Sequence, residues 1–355
     1  AQTSPDQIRD IESVDHLVCH ADKMKMAELI DSGSPLTETC FIPASEKPPF
    51  FIGFDQTVCG KMTRAYLKIQ DGCDAFCSYC IVPQARGTSV SMPVNDVLKH
   101  LHILGQSDFE EVILTGIHTG LYGRDLNPAA TLKDLICQIG QQRPVGRIRL
   151  SSVESSEIDP DLIRMAGPGQ ILCDHFHIPL QSGDDDILAL MNRPYSADEF
   201  SAVVNDIHRI LPAAGIGIDV LVGFPTETED QFHHTYALLE HLPVSYLHVF
   251  PFSARKRTKA YDLTPKVDSQ SVKERTLKLR SLDYQKRKTF ISKNLNTRLS
   301  GLVLHEPDLK TGMMKAITSN YLTILIEHKQ GLQGKTVDLL AKHCDNDLNI
   351  TGSCI

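Results

Sequence analysis

From Arg64 onward, short apolar runs alternate with amphipathic stretches along the chain. Six runs read as strands: "AYLKI" (65–69), "EVILTG" (111–116), "RIRLSS" (147–152), "HFHIPL" (175–180), "IGIDVLVGF" (216–224) and "YLHVFPF" (246–252). Between them the apolar period changes to that of a helix. Behind Pro93, which suits a first helical turn, Val94, Val97, Leu98, Leu101 and Leu104 fall on one face. Further helices are predicted over 131–141, near 159–166 and 184–192, and over 197–211 and 228–241. Six strand-then-helix units predict an α/β fold with a parallel sheet, either a partial (β/α) barrel or a doubly wound sheet. In both, reactive groups gather beyond the C-terminal ends of the strands.

The flanks follow other patterns. Asp6–Leu17 and Lys23–Ile30 read as helices, and "SEKPPFFIGF" (45–54) as a connector rich in breakers. Residues 268–295 predict one long polar helix. Beyond it, "RLSGLVLHE", "MMKAITSNYLTILIEH" and "KTVDLLAKHC" are β runs without helical period, which fits a small OB-like barrel. The expected domains are residues 1–60, 61–290 and 291–355.

Composition adds exclusions. A chain of 355 residues, 41% hydrophobic and 23% charged, suits a globular protein of two or three domains. No apolar run approaches the roughly 18 residues of a membrane span, and no signal peptide opens the chain. A cytoplasmic protein without membrane contact is expected. The sequence starts at Ala1 with what reads as mid-domain residues, which suggests a truncated or processed chain. The net charge of −8 argues against a uniformly basic nucleic-acid binder but leaves room for a local basic patch.

The ten cysteines are too sparse for a disulfide scaffold, and only three cluster. Cys73, Cys77 and Cys80 stand in "DGCDAFCSYCIVPQARG" (71–87), spaced C-x3-C-x2-C, directly after the first strand. Cys137 and Cys173 read as core residues. Cys19, Cys40 and Cys59 are too widely spaced to form a local chelate. Structural zinc prefers four ligands, and no fourth Cys or His follows within reach, since His100 and His102 lie on a helix facing the sheet. Three thiolates can instead hold a cubane iron–sulfur cluster by three irons and leave the fourth open. Zinc is the alternative.

C-x3-C-x2-C at the end of the first strand of a βα series resembles the radical S-adenosylmethionine (SAM) superfamily. "RAYLKIQDGCDAFCSYCIVPQARG", "VILTGIHTGLYGRDL", "RIRLSSVESSEID", "HFHIPLQSGDDDILALMNR", "DVLVGFPTETEDQF" and "LHVFPFSAR" follow in an order that resembles its methylthiotransferases. The wording "LTGIHTG" and "RLSSVE" is similar to the branch that modifies N6-threonylcarbamoyladenosine at position 37 of tRNA. The resemblance covers residues 1 to about 300 and implies a partial (β/α)6 radical SAM barrel. An N-terminal α/β remnant would precede it, and a small TRAM-like RNA-binding β-barrel would follow. It implies that Cys73, Cys77 and Cys80 ligate a 4Fe–4S cluster whose open iron chelates SAM. It implies a radical, formed from SAM by one electron, and transfer of CH3S to carbon 2 of the adenine, with a second SAM as methyl donor. An electron donor such as flavodoxin or ferredoxin is implied as well. Isopentenyladenosine in tRNA, or an aspartate of a ribosomal protein, is the alternative target. A non-catalytic, metal-containing RNA-binding protein is the alternative class.

By the same resemblance, Tyr79 packs near the SAM adenine. Thr115 and Gly116 meet its amino group, Ser152 and Glu154 its ribose or methionyl part. Gln181, with Ser182 and Gly183, ends the fourth strand, and Asp219 and Gly223 lie near the adenine. For each, a loop cap or turn is the competing reading. His118, His175 and His177 are weaker candidates, and Arg86 suits either an anionic ligand or a structural ion pair. Two departures stand out. The family carries three further cysteines for a second 4Fe–4S cluster, and those ligands are missing here. The resemblance thus leads to the expectation of a chain able to cleave SAM but unable to complete methylthiolation alone. In "SARKRTKA" (253–260), Lys256 and Arg257 stand where the family has Pro and Gly. Segment 271–300 carries nine basic residues against two acidic ones, a local excess that points to phosphate contacts with the tRNA anticodon loop.

Overall fold

The computed structural model describes residues 62–355, with residue 3 and the short stretches 5–9, 11–14, 16–18, 22 and 26–32. Cys19, Cys40, Cys59 and the 45–54 connector lie outside the described residues. Among the described residues before Met62, helices cover Pro5–Arg9 and Met26–Asp31. The first is shorter than the apolar spacing of 6–17 predicts, since 11–14 and 16–18 are turn and coil.

The strands run in chain order as β1 (Ala65–Lys68), β2 (Gln70–Asp71), β3 (Val90–Ser91), β4 (Glu111–Thr115), β5 (Arg147–Leu150), β6 (His175–Gln181), β7 (Gly215–Val222) and β8 (Tyr246–Pro251). Parallel ladders join β1, β4 and β5, and likewise β6, β7 and β8. Parallel bridges Ile148↔Leu172 and Ser152↔His177 link the two halves. Long strands therefore stand side by side in sequence order. That settles the sequence alternative: a doubly wound sheet reverses its order at a switch point, and this one does not. All six predicted strands form, and the helices Val94–Gln106, Leu132–Gln142, Ala197–Ile210 and Glu229–His241 cover one face.

Alternation along the strands decides what each face carries. Val112, Leu114, Ile148, Leu150, Phe176, Ile178, Ile216, Ile218, Val220 and Leu247 join the helices in the main core. Their neighbours Glu111, Arg147, Arg149, His175, His177, Asp219, Tyr246 and His248 point to the other, concave face. Cys137, expected in the core, is exposed, because the helix Leu132–Gln142 turns Leu132, Leu135, Ile136 and Ile139 inward instead. Cys173 is buried as expected.

The helix Ser269–Asn294 packs against β8 and leads into β9 (Arg298–Val303), β10 (Met314–Thr318), β11 (Thr323–Ile326), β12 (Thr336–Cys344) and β13 (Ile350–Cys354). These five close a barrel in the order β10-β11-β13-β12-β9. Its turn between β10 and β11 seals the concave face at the N-terminal ends of the long strands. Arg147 donates to the Ile317 carbonyl at 3.0 Å, and Arg149 to those of Thr318 and Ser319 at 3.0 and 2.9 Å. Glu111, fully buried, pairs with both arginines at 2.6 and 3.0 Å, and with Arg64 at 3.6 Å. No helix among the described residues is long and apolar enough to cross a membrane.

Candidate cofactor and substrate site

The cysteine loop is a hairpin closed at its base by β2 and β3, with Gln70 opposite Ser91 and Asp71 opposite Val90. Gly72 starts it at φ 72°, and a Cβ there would lie 1.8 Å from the Thr88 carbonyl oxygen, so only glycine fits. Cys73 N–H donates to Gly87 O at 3.1 Å, and Cys80 N–H to Cys77 O at 3.0 Å. Asn192 donates to the carbonyls of Ala75 and Phe76 at 3.1 and 3.2 Å, and Ser78 is bound to Met191 and Ala260 through its backbone. The tip is thereby held from two sides.

Gln70 organises the base of the loop, a role that its sequence context does not signal. Its oxygen accepts the backbone N–H groups of Ile117 and His118 at 2.9 and 2.8 Å. Its nitrogen donates to Asp71 O, Gly72 O and Ser89 Oγ at 3.0, 2.8 and 2.9 Å. One buried side chain thus locks the cysteine loop to the loop after β4. Beside it, Arg86 and Lys68 pair with Asp71 at 3.1 and 2.7 Å, which assigns Arg86 to a structural ion pair. Burial raises the Asp71 carboxyl, but Lys68 and its other partners outweigh that and bring it to about 2.

The three thiols are free and half-buried. Burial pushes the Cys80 thiol up, the Val82 N–H pulls it down, and the nearby Cys77 and Cys73 add to the rise. Donors already face the sulfurs: Ala75 N–H and His118 Nδ1 each stand 3.5 Å from Cys73, and Arg193 Nη1 stands 3.4 Å from Cys77. Such donors offset the negative charge that a thiolate-bound cluster carries. Three unpaired thiols on one clamped loop, with cationic and N–H donors around them, fit a 4Fe–4S cluster. Among the described residues no further cysteine joins them.

Residues 67–239 match the pattern of the radical SAM superfamily. Over 343 residues the chain is 35% identical to the threonylcarbamoyladenosine tRNA methylthiotransferase MtaB of Aquifex aeolicus (strain VF5), spanning 96% of this chain and 81% of that protein. The chain belongs to the MtaB-type radical SAM methylthiotransferases. The MtaB of Bacillus subtilis (strain 168) is likewise 35% identical, over 95% of this chain and 75% of its own length. A tRNA-2-methylthio-N(6)-dimethylallyladenosine synthase of Clostridium tetani is 35% identical over 61% of this chain and 48% of its own. Members of this family are transferases that act on tRNA with a 4Fe–4S cluster and SAM.

The other candidate residues line the strand tops above the concave face. Tyr79 packs on Ile187, Met191, Phe224 and Ala260. Thr115 and Gly116 close β4, and a Cβ on Gly116 would meet the Gln70 oxygen at 2.8 Å. The Ser152 carbonyl accepts from Thr119 at 2.6 Å. Glu154 pairs with Arg193, which also donates to the hydroxyl of Tyr195. Gln181 ends β6 in the left-handed region at φ 70°. Ser182 and Gly183 serve a turn, both bound to Thr235 Oγ1 at 3.3 and 2.9 Å. Gly223, at φ 76°, donates to Glu227 at 2.9 Å and leaves no room for a Cβ beside Val272.

Of the histidine candidates, His118 joins the cysteine loop and contacts Glu157 at 2.8 Å. His175 and His177 belong to a chain of polar groups on the concave wall. His175 Nε2 lies 2.8 Å and His177 Nδ1 3.2 Å from the Tyr246 hydroxyl. Asp219 Oδ1 takes His177 Nε2 at 2.8 Å and His248 Nδ1 at 3.3 Å. The ligating atoms of His177, Asp219 and His248 lie within 4.8 Å of one another. Each is hydrogen-bonded within the chain. Burial raises the Asp219 carboxyl, yet His177 and His248 bring it to about 2.

Charge on the long helix is less free than its composition suggests. Arg275 is buried against Glu227 and Glu229 at 2.7 and 3.1 Å, and Lys278 reaches Glu229 at 3.4 Å. Lys286 donates to two carbonyls, Arg287 pairs with Asp283 at 2.9 Å, and Arg298 with Asp338 at 2.6 Å. Lys273, Arg280, Lys288 and Lys293 remain exposed, as do Arg255, Lys256 and Arg257.

Proposed function

We propose that this chain carries the SAM-cleaving part of the reaction that adds a methylthio group to carbon 2 of N6-threonylcarbamoyladenosine at position 37 of tRNA, with Cys73, Cys77 and Cys80 holding the cluster. The observation that carries this reading is the clamped three-cysteine hairpin at the strand tops, in a chain 35% identical to MtaB proteins along most of its length. When bound, the cluster supplies the one-electron cleavage of SAM whose radical product attacks unactivated C–H bonds, chemistry that no side chain here performs.

The residues around it bind, orient and shield. Gln70 fixes the loops on both sides of the cluster position. Arg193 holds its guanidinium against Cys77 and Glu154 at once, so the carboxylate stands beside the cluster position with its charge balanced. Gly116 leaves the Thr115–His118 backbone close to the hairpin, where the SAM amino group would be received. Tyr79, Ser152, Glu154, Gln181 and Gly223 ring the same opening as the remaining SAM contacts. Asp219, bound by two imidazoles, sits lower on the wall and suits the substrate side better than the adenine of SAM. The exposed cations of the long helix and of 255–257 take the anticodon arm, and a small one-electron donor of the flavodoxin or ferredoxin kind reduces the cluster. The test is anaerobic reconstitution followed by assay of 5′-deoxyadenosine with and without tRNA. Its formation, raised by tRNA that bears N6-threonylcarbamoyladenosine and lost in Cys77→Ala, supports the reading. Full activity in Cys77→Ala overturns it.

A further inference from the structure

The relatives carry names for two different bases, one with a polar and one with an apolar N6 substituent, and identity alone does not separate them: both stand at 35%. The chemistry of the concave wall does. Asp219 lies four residues before Gly223 at the strand top, about 13 Å down at ~3.3 Å per residue. In an adenine whose carbon 2 faces the cofactor end, the N6 substituent extends away from that end, along this wall. Threonylcarbamoyl carries a urea, a hydroxyl and a carboxylate. Dimethylallyl carries only C–H bonds.

Pro179, Leu221 and Phe250 follow on the same face towards the strand tops, and at the level of Asp219 the wall becomes polar. His177, Asp219, Tyr246 and His248 come from three adjacent parallel strands and form one hydrogen-bonded chain. Its internal bonds use both His177 nitrogens and the Tyr246 hydroxyl, and what it presents to a ligand is the second nitrogen of His248 and the second oxygen of Asp219. Gly217 is what admits Tyr246, since a Cβ there would lie 2.1 Å from its ring. His248 is the accessible end, its side chain 46% exposed. It opens on a cavity of about 280 Å3 that Tyr246, Arg287 and Tyr321 also border. Arg287 stands 5.0 Å over the Tyr246 ring, its charge already paired with Asp283 at 2.9 Å.

We propose that His248 and Asp219, held in place by His177 and Tyr246, bind the polar N6 substituent of the target base and select it against an apolar one. This rests on the reading of threonylcarbamoyladenosine as the substrate. An apolar substituent pressed on this wall strips its polar groups of water and returns no hydrogen bond, which is how a polar pocket rejects an analogue that lacks the matching groups.

The experiment compares two anticodon stem-loop RNAs, one bearing threonylcarbamoyladenosine and one dimethylallyladenosine, by the 5′-deoxyadenosine that each elicits from the reconstituted chain. Variants are His248→Leu, at an exposed position, and Tyr246→Phe, which removes one oxygen. Iron content and SAM cleavage without RNA are read alongside and stay at the wild-type level. The expected result is a 10- to 100-fold fall in kcat/KM for the polar base, mostly through KM, with the preference between the two bases shrinking by a similar factor. Unchanged preference in both variants overturns the inference while the substrate reading stands. A wild-type chain whose SAM cleavage responds only to the dimethylallyl RNA overturns the substrate reading itself, and the wall's assignment with it.

Discussion

Arg193 reaches the sulfur of Cys77 with one guanidinium nitrogen and the carboxylate of Glu154 with another. One residue beyond the helix Asp185–Leu190, which follows β6, therefore joins the cysteine hairpin to the segment after β5. Its ring of partners is buried, so removing one member leaves a charge behind. Arg193→Ala is expected to destabilise the protein by about 3 kcal/mol, the usual cost of a buried charge without its partner. The double variant Arg193→Ala/Glu154→Gln recovers part of that loss. Denaturant titration of the four proteins in the cycle checks it, and strict additivity would show that the two residues do not act as a pair.

Gln70 makes five hydrogen bonds from a fully buried side chain, all of them to the two loops that face the cluster position. Gln70→Leu keeps the volume and abandons the partners. Stability falls by roughly 2–4 kcal/mol, since several buried backbone groups lose their partner. Iron bound per chain falls with it. A Gln70→Leu protein that binds iron normally would show that the hairpin holds its shape without this anchor.

The buried Glu111 sets an acid limit. Burial raises its carboxyl, but Arg149 and then Arg147 draw it from the ordinary 4.5 down to about 2. Folding therefore favours the ionised form. The stabilisation is complete above about pH 4.5 and is lost as the pH falls towards 2, on the order of 3 kcal/mol in all. Unfolding free energy measured across that window slopes downward with acid in the wild type. In Glu111→Gln the slope is shallower, and the protein is weaker at neutral pH because three arginines lose their counter-charge.

Exposed Lys273, Arg280, Lys288 and Lys293 carry the RNA prediction, and the internally paired Arg275 does not. Changing the four to Ala lowers tRNA affinity and flattens the slope of log affinity against log salt by about 0.7–0.9 for each phosphate left without a cation. Filter binding at several salt concentrations measures it. An unchanged slope would move the RNA to another face.

The strand-and-helix frame is legible in sequence because each run carries its own period, and the cysteine hairpin because its spacing is local. What escapes has a tertiary origin. Gln70 and Arg193 look like ordinary polar residues until the loops they join are adjacent. β13 escapes because "ITGSC" is short and half polar, and its strand character comes from pairing with β12 and β11. Cys137 sits in an apolar stretch, but one helical step off the core face puts it in solvent. The basic excess of 271–300 is plain in the sequence, yet four of its nine cations are spent on partners that only the fold supplies, and Arg287 pairs one helical turn away with Asp283.

The grip of Arg147 and Arg149 on the carbonyls of Ile317, Thr318 and Ser319 makes the C-terminal barrel the floor of the chamber rather than a tethered appendage. An RNA bound to the barrel would stand at a set height beneath the cysteine hairpin. The two ends of the molecule are fixed like the jaws of a locked caliper, with one gap between them.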